Sequence, residues 1–194
     1  MIISQNSEPA SDKFKELFSS AKVLVVDDEE LVREFFVEAL SKRDIDVDVR
    51  VDGAEAMEAL SASWYNLVIT DLRMPNVDGM ELLRWILGKH PNVPVIMLTA
   101  YASLEGAVAA MRIGAYDYLP KPITDLSQLD LTLFRALKHH QLLIENQNLK
   151  GKLSERYSFD KLVGPSEQMQ EIFEILSTVA PTHATVLVQG PSGT

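Results

Sequence analysis

The sequence predicts an α/β domain, a parallel sheet with helices on both faces, and three observations carry that expectation. Continuous apolar runs at residues 23–26, 67–69 and 95–98 have the length and make-up of strands covered on both sides. Apolar residues at helical spacing fill the stretches between them. The alternation continues until five strands and their intervening helices are accounted for, and strands that alternate with helices pair in parallel.

In order along the chain, residues 1–11 are polar and without a usable period, and read as a tail. Residues 12–18 suit a helical turn with Phe14, Leu17 and Phe18 on one side. Val23-Leu24-Val25-Val26 is the first strand, and Leu31, Val32, Phe35, Phe36, Ala39 and Leu40 mark the first helix. Val47, Val49 and Val51 alternate with charged residues, as on a half-exposed edge strand. Residues 54–60 form the next helix, 67–69 a buried strand, and 80–87 a helix with Leu83, Ile86 and Leu87 inward. Residues 95–98 are another buried strand, followed by a helix near 104–113 and a short strand at 116–119.

Beyond Pro122 the character changes. Residues 126–156 hold no proline and one glycine, Gly151, and read as a single long helix. Leu126, Leu129, Leu133, Leu137 and Ile144 lie near a seven-residue repeat that degrades at His140 and around residues 146–148. The length favours a helix that pairs with a second copy over the plainer alternative, the last helix of the domain with a frayed extension. From Tyr157 a new unit begins, with a helix through Met169, Ile172, Phe173, Ile175 and Leu176 and a strand over 184–188. One helix and one strand cannot close a core, so this unit reads as incomplete. The expected division is therefore 1–20 tail, 21–124 main domain, 125–156 linker helix and 157–194 partial second domain.

The 194 residues include 28 acidic and 18 basic side chains, a formal charge of -10, and that balance argues against a nucleic-acid surface. There is no cysteine, which excludes disulfides and thiolate metal sites. Residues 1–20 lack a basic region followed by an apolar run, and no apolar stretch is long enough to span a bilayer. A soluble, cytoplasmic protein with no membrane partner is the expectation.

Ligands of an open parallel sheet collect beyond the carboxyl ends of its strands. There the sequence places Asp27 and Asp28 after the first strand, Asp71 after the third, Thr99 at the end of the fourth and Lys121 after the fifth. Each has a plainer reading alone: a helix cap for Asp27 and Asp28, a turn for Asp71, a strand-end hydroxyl for Thr99, a surface lysine for Lys121. Together they form a coherent set. Converging carboxylates tolerate full ionisation only beside a cation, and an all-oxygen set favours a hard ion such as magnesium. A hydroxyl and a compact ammonium suit phosphoryl oxygens, and a carboxylate can itself be the phosphoryl acceptor.

Residues 22–123 resemble the receiver domain of two-component response regulators. The matching segments are Val-Leu-Val-Val-Asp-Asp-Glu at 23–29, Asp-Leu-Arg-Met-Pro-Asn-Val-Asp-Gly-Met-Glu-Leu at 71–82, Leu-Thr-Ala at 98–100 and Gly-Ala-Tyr-Asp-Tyr-Leu-Pro-Lys-Pro at 114–122. The resemblance implies a CheY-like, flavodoxin-like fold with strand order 2-1-3-4-5. It implies Asp71 as phosphoacceptor and a magnesium site of Asp27, Asp28, Asp71 and the Arg73 backbone carbonyl. It further implies Thr99 as the switch hydroxyl, Tyr118 as the switch aromatic, Lys121 as the phosphate contact, and a cis bond before Pro122. A sensor histidine kinase would be the donor.

The remainder resembles the opening of an AAA+ ATPase of the sigma-54-dependent activator (NtrC-like) type, through Leu-Val-Gly-Pro-Ser at 162–166 and the segments 179–182 and 186–194. Gly190 and Gly193 would begin a Walker A loop whose lysine the sequence does not reach, so this chain is expected not to hydrolyse ATP. Contacts with sigma-54 RNA polymerase and DNA would belong to domains outside it. Two other classes fit these residues less well. An aspartyl-nucleophile phosphatase would want an acid two residues after Asp71, where Arg73 stands, and a nucleotide-binding enzyme has only the loop at Gly190 in its favour. Arg73 and Tyr101 are bulky residues expected to flank the phosphoryl group and to slow its hydrolysis.

Overall fold

The computed structural model describes residues 16–100 and 104–156, together with 171, 172, 175, 176, 178, 179, 185–187 and 189. Five strands, β1 (Lys22–Val26), β2 (Asp46–Arg50), β3 (Leu67–Asp71), β4 (Val95–Ala100) and β5 (Asp117–Lys121), alternate with five helices, α1 (Glu30–Ser41), α2 (Gly53–Ala62), α3 (Gly79–Lys89), α4 (Leu104–Ile113) and α5 (Leu126–Arg156). The strands form one parallel sheet in the order β2-β1-β3-β4-β5. This is the expected fold and order.

Side chains of a strand alternate between faces, and here the alternation sorts them into two cores. Val23, Val25, Leu67, Ile69, Ile96, Leu98 and Leu119 face α1 and α5, where Phe36, Leu40, Leu129, Leu133 and Leu137 meet them. Leu24, Val26, Val68, Val95 and Met97 face the other way, against Ala56 and Leu60 of α2, Leu82, Leu83 and Ile86 of α3, and Ala110 of α4. Burying each large aliphatic side chain contributes roughly 1.5–3 kcal/mol, so the two cores dominate the stability. β1 and β3 occupy the middle of the sheet and are buried on both faces, whereas β2, with its Asp-Val-Asp-Val-Arg alternation, lies at the edge and is half-buried.

Two expected boundaries move. The described end of the tail packs: residues 16–19 are helical and Phe18 is buried in the core beside α1 and α5. The expected boundary at 124/125 falls inside the packed unit, because Leu129, Leu133, Ala136 and Leu137 complete the core. Three leucines of the seven-residue pattern thus pack within their own domain. Only after Leu137 does the helix shed its core contacts, leaving Leu142, Ile144 and Leu149 exposed.

The chain divides into two compact units, 1–147 and 148–194, with the division inside α5. In the second unit residues 171, 172, 175 and 176 are helical as expected. Of the strand expected at 184–188, residues 184 and 188 lie outside the described residues, and 185–187 adopt no regular structure, with Val186 and Leu187 exposed. A strand exists only where a neighbour accepts its ladder bonds, and none of the described residues does so.

Candidate functional site

Strands β1, β3, β4 and β5 end together at one rim of the sheet, and their register brings the polar residues into one place. Asp71, the last residue of β3, pairs with Leu98, so Thr99 lies one position beyond it on β4. Lys121, the last residue of β5, pairs with Ala100. Asp27 follows directly on β1, where its N–H continues the ladder to the Arg50 carbonyl.

The Lys121 ammonium is the hub. Its Nζ lies 2.7 Å from Asp27 Oδ2, 2.8 Å from Asp71 Oδ1 and 3.0 Å from Glu29 Oε1. Asp27 is fully buried and Asp71 nearly so. Two adjacent buried carboxylates cost several kcal/mol unless a positive charge compensates them, and Lys121 is that charge. Burial pushes the Asp27 carboxyl above the ordinary range, outweighing the Lys121 contact and the hydrogen bond from Glu29 N–H that pull it down. Burial works to lower the Lys121 pKa, but hydrogen bonds to Asp27, Asp71 and Glu29 prevail and raise it. The three carboxylates thus favour the charged form of Lys121.

Local hydrogen bonds fix the two acids. Asp27 Oδ1 accepts from Glu29 N–H at 3.0 Å, and Asp71 Oδ2 from Arg73 N–H at 2.7 Å. Asp27 Oδ2 has no well-directed hydrogen bond, only the Lys121 ammonium beside it. Behind Asp71, the first turn of α3 comes so close that a Cβ on Gly79 would lie 2.0 Å from the Asp71 carbonyl oxygen. Only glycine fits there.

Residues 23–133 match the response regulator receiver domain family. The chain belongs to this family. It is 35% identical over 174 residues to the DNA-binding transcriptional regulator NtrC of Escherichia coli (strain K12), which covers 89% of this chain and 36% of that protein. It is 36% identical over 176 residues to the C4-dicarboxylate transport transcriptional regulatory protein DctD of Pseudomonas aeruginosa, covering 90% of this chain and 38% of that one. Both alignments run longer than the receiver, while the chain spans a little over a third of the length of these curated relatives. Among solved structures it resembles NtrX from Brucella abortus in complex with ADP, with TM-score 0.63 and 33% identity over 84% of this chain and 34% of that chain. A receiver domain protein from Clostridium thermocellum matches with TM-score 0.60 and 33% identity over 63% of this chain and 98% of that one.

The receiver brings together some of the residues singled out in the sequence and leaves others apart. Asp27, Asp71 and Lys121 are in contact, and the buried Thr99 lies at the same rim. Asp28 is exposed, and among the described residues its carboxylate has no hydrogen-bond or ion-pair partner; its carbonyl accepts from Arg33 at 2.9 Å. Tyr118 is 40% exposed, opposite Met97 on β5. Arg73 is an exposed loop residue whose N–H holds Asp71, and the Lys121–Pro122 bond is cis. Tyr101, Gly190 and Gly193 lie outside the described residues.

Receivers typically bind magnesium, and the residues of this one fit such an ion. The buried Asp27 carboxylate, the neighbouring Asp71 and the exposed Asp28 carboxylate are hard oxygen donors on one rim. Among the described residues no three acidic or histidine side chains stand together as a metal-holding group, and the Lys121 ammonium contacts both Asp27 and Asp71.

Four residues have no role in the expectations for the site: Glu29, Asp52, Asn76 and Gly79. Glu29, Asn76 and Gly79 lie inside the matching segments 23–29 and 71–82, and Asp52 and Gly79 belong to an Asp-Gly-x-Glu helix-start pattern at 52–55 and 78–81. The partners of Glu29 and Asn76 lie across the fold, where no local pattern marks them.

Proposed function

We propose that this chain is the phospho-accepting input domain of a transcription regulator, with Asp71 as the acceptor. One observation carries the reading: the Lys121 ammonium sits between the buried carboxylates of Asp27 and Asp71, at the rim where four strands end. A cationic group so placed can follow the phosphoryl oxygens once Asp71 carries them.

In the proposed transfer an Asp71 oxygen attacks the donor phosphorus. The new O–P bond forms as the donor's own bond to phosphorus breaks, and the leaving group departs with the electron pair. The donor would be the phosphohistidine of a sensor histidine kinase or a small acyl phosphate. Magnesium, held by Asp27, Asp28, Asp71 and the Arg73 carbonyl, would neutralise charge on the transferring group. Arg73 N–H keeps the carboxylate oriented, Lys121 moves with the added oxygens, and Thr99 supplies a hydroxyl to them. Tyr118, exposed on the neighbouring strand, can then change its packing, so that the face of α4 and β5 reports the modification.

The output would run through α5. The helix is about 46 Å long at 1.5 Å per residue, and its second half exposes Leu142 and Leu149, one heptad apart. A second copy of this chain is the proposed partner of that surface. A cut at residue 123 would remove the core residues Leu129 and Leu133, so the test is the pair Leu142→Lys and Leu149→Lys. Light scattering should then show a monomer where the unmodified chain is dimeric; equal masses would remove α5 from the dimer. Control of a sigma-54-dependent activator is the proposed output of this switch.

The site itself is tested with magnesium and a small acyl-phosphate donor. Intact-mass measurement should show one added phosphoryl group, lost in Asp71→Asn and absent without the cation. Modification that persists in Asp71→Asn would overturn the assignment.

A further inference from the structure

The loop between Asp71 and α3 is tied down from outside the site. Its first residue is anchored by Leu72 N–H on the Leu98 carbonyl, and Gly79 N–H returns to the Leu72 carbonyl. Its middle is held by a different part of the molecule, the start of α2. Asn76 Nδ2 donates to Asp52 Oδ2 at 2.7 Å, and Gly53 N–H donates to the Val77 carbonyl at 3.1 Å. Asn76 itself has φ 61°, a left-handed conformation that asparagine tolerates better than most residues.

Asp52 does more here than cap a helix. Its Oδ1 already accepts Glu55 N–H at 2.9 Å, which completes the cap. Its other oxygen, on a residue only 6% exposed, reaches Asn76. A Cβ on Gly53 would lie 2.6 Å from Val77 Cγ1 and 2.7 Å from the Val77 carbonyl oxygen, so the two loops are pressed together at this point.

We propose that Asp52 and Asn76 are positioning residues for the phosphoacceptor site, a strap that holds segment 73–77 so that the Arg73 backbone meets Asp71 correctly. The inference rests on the magnesium and Asp71 reading above. Arg73 N–H is the donor to Asp71 Oδ2, and the Arg73 carbonyl is the proposed backbone ligand of the cation. Both groups sit three residues before Asn76, on a loop with few other anchors.

The test uses the whole chain and four variants. Asp52→Ser keeps a good helix cap but is too short to reach Asn76; Asn76→Ala removes the strap from the other side. Asn76→Asp sets carboxylate against carboxylate, and Asn76→Asp with Asp52→Asn restores the hydrogen bond with its polarity reversed. Two readouts are taken: magnesium affinity by calorimetry, and hydrogen exchange of the Arg73 amide in metal-free protein. Removing an outer partner of a metal ligand weakens binding about tenfold, and that is the loss expected for each strap-breaking variant. The Arg73 amide should exchange faster in those three, and the swapped pair should recover both properties. Unchanged affinity and exchange in Asp52→Ser and Asn76→Ala would overturn the strap while leaving the site reading intact. Losses that the swapped pair does not recover would overturn it too. A parent chain that neither binds magnesium nor accepts a phosphoryl group would overturn both.

Discussion

Residues 52–55 and 78–81 share one pattern, Asp-Gly-x-Glu, and both begin a helix. In each the aspartate accepts the N–H of the glutamate three residues on, Asp52 from Glu55 at 2.9 Å and Asp78 from Glu81 at 2.8 Å. The likeness ends there. Asp52 is buried and its second oxygen is bound by Asn76, whereas Asp78 is exposed and acts only as a cap. The two glycines differ as well. Gly79 leaves room for the carbonyl of Asp71, and Gly53 for Val77. One local motif thus serves two purposes: one copy lets a helix approach Asp71, and the other fastens the loop that follows it.

The largest effect is expected at Gly79. In Gly79→Ala the added methyl would meet backbone at 2.0 Å, so strand and helix must separate. Overpacking of this kind costs about 3 kcal/mol, and urea unfolding should show it alongside a loss of acceptor activity at Asp71. Gly53→Ala should cost less, about 1–2 kcal/mol, because its closest contacts, Val77 Cγ1 at 2.6 Å and the Val77 carbonyl oxygen at 2.7 Å, are less severe than the 2.0 Å at Gly79. If the two alanine variants lose equal stability, the contrast between the glycines is wrong.

The aspartates follow at a smaller scale. Removing either cap in Asp52→Ala or Asp78→Ala should cost about 1 kcal/mol by thermal unfolding. Asp52→Ala should exceed Asp78→Ala by about 0.5–1 kcal/mol, since it also breaks the bond to Asn76. Equal losses would reduce Asp52 to a plain cap.

The smallest effect is one of pH. The Asn76 amide, and then the Glu55 N–H, hold the Asp52 carboxyl below its ordinary value. A carboxyl so depressed adds stability above its unfolded pKa, near 4, and loses that contribution as pH falls through its folded pKa. The stability gap between the parent chain and Asp52→Asn should therefore be full at neutral pH and close on acidification below about pH 4. A gap that stayed constant or widened would show that the charge of Asp52 plays no part in the strap.

Much of this arrangement was legible in the residues. The apolar runs located the strands, the charged alternation at 46–50 placed β2 at an edge, and the acids at strand ends marked out one rim. The Asp27, Asp71 and Lys121 contacts are consistent with that rim. Other features were not legible. Leu129, Leu133 and Leu137 fit a coiled-coil seam as well as a core face, because both use nearly the same spacing, and only packing against β1, β3 and β4 decides between them. Phe18 reads as part of a tail until α1 and α5 are seen to enclose it.

By itself the sequence determined the order of elements, the parallel pairing and the chemistry gathered at the strand ends, since these follow from periodicity, chain connection and residue type. The tertiary structure alone decided which carboxylates meet, that Glu29 joins Lys121, and that Asp52 and Asn76 clasp across two loops. Such contacts join residues 24 or 92 positions apart, and no local pattern records a distance that only the closed sheet creates.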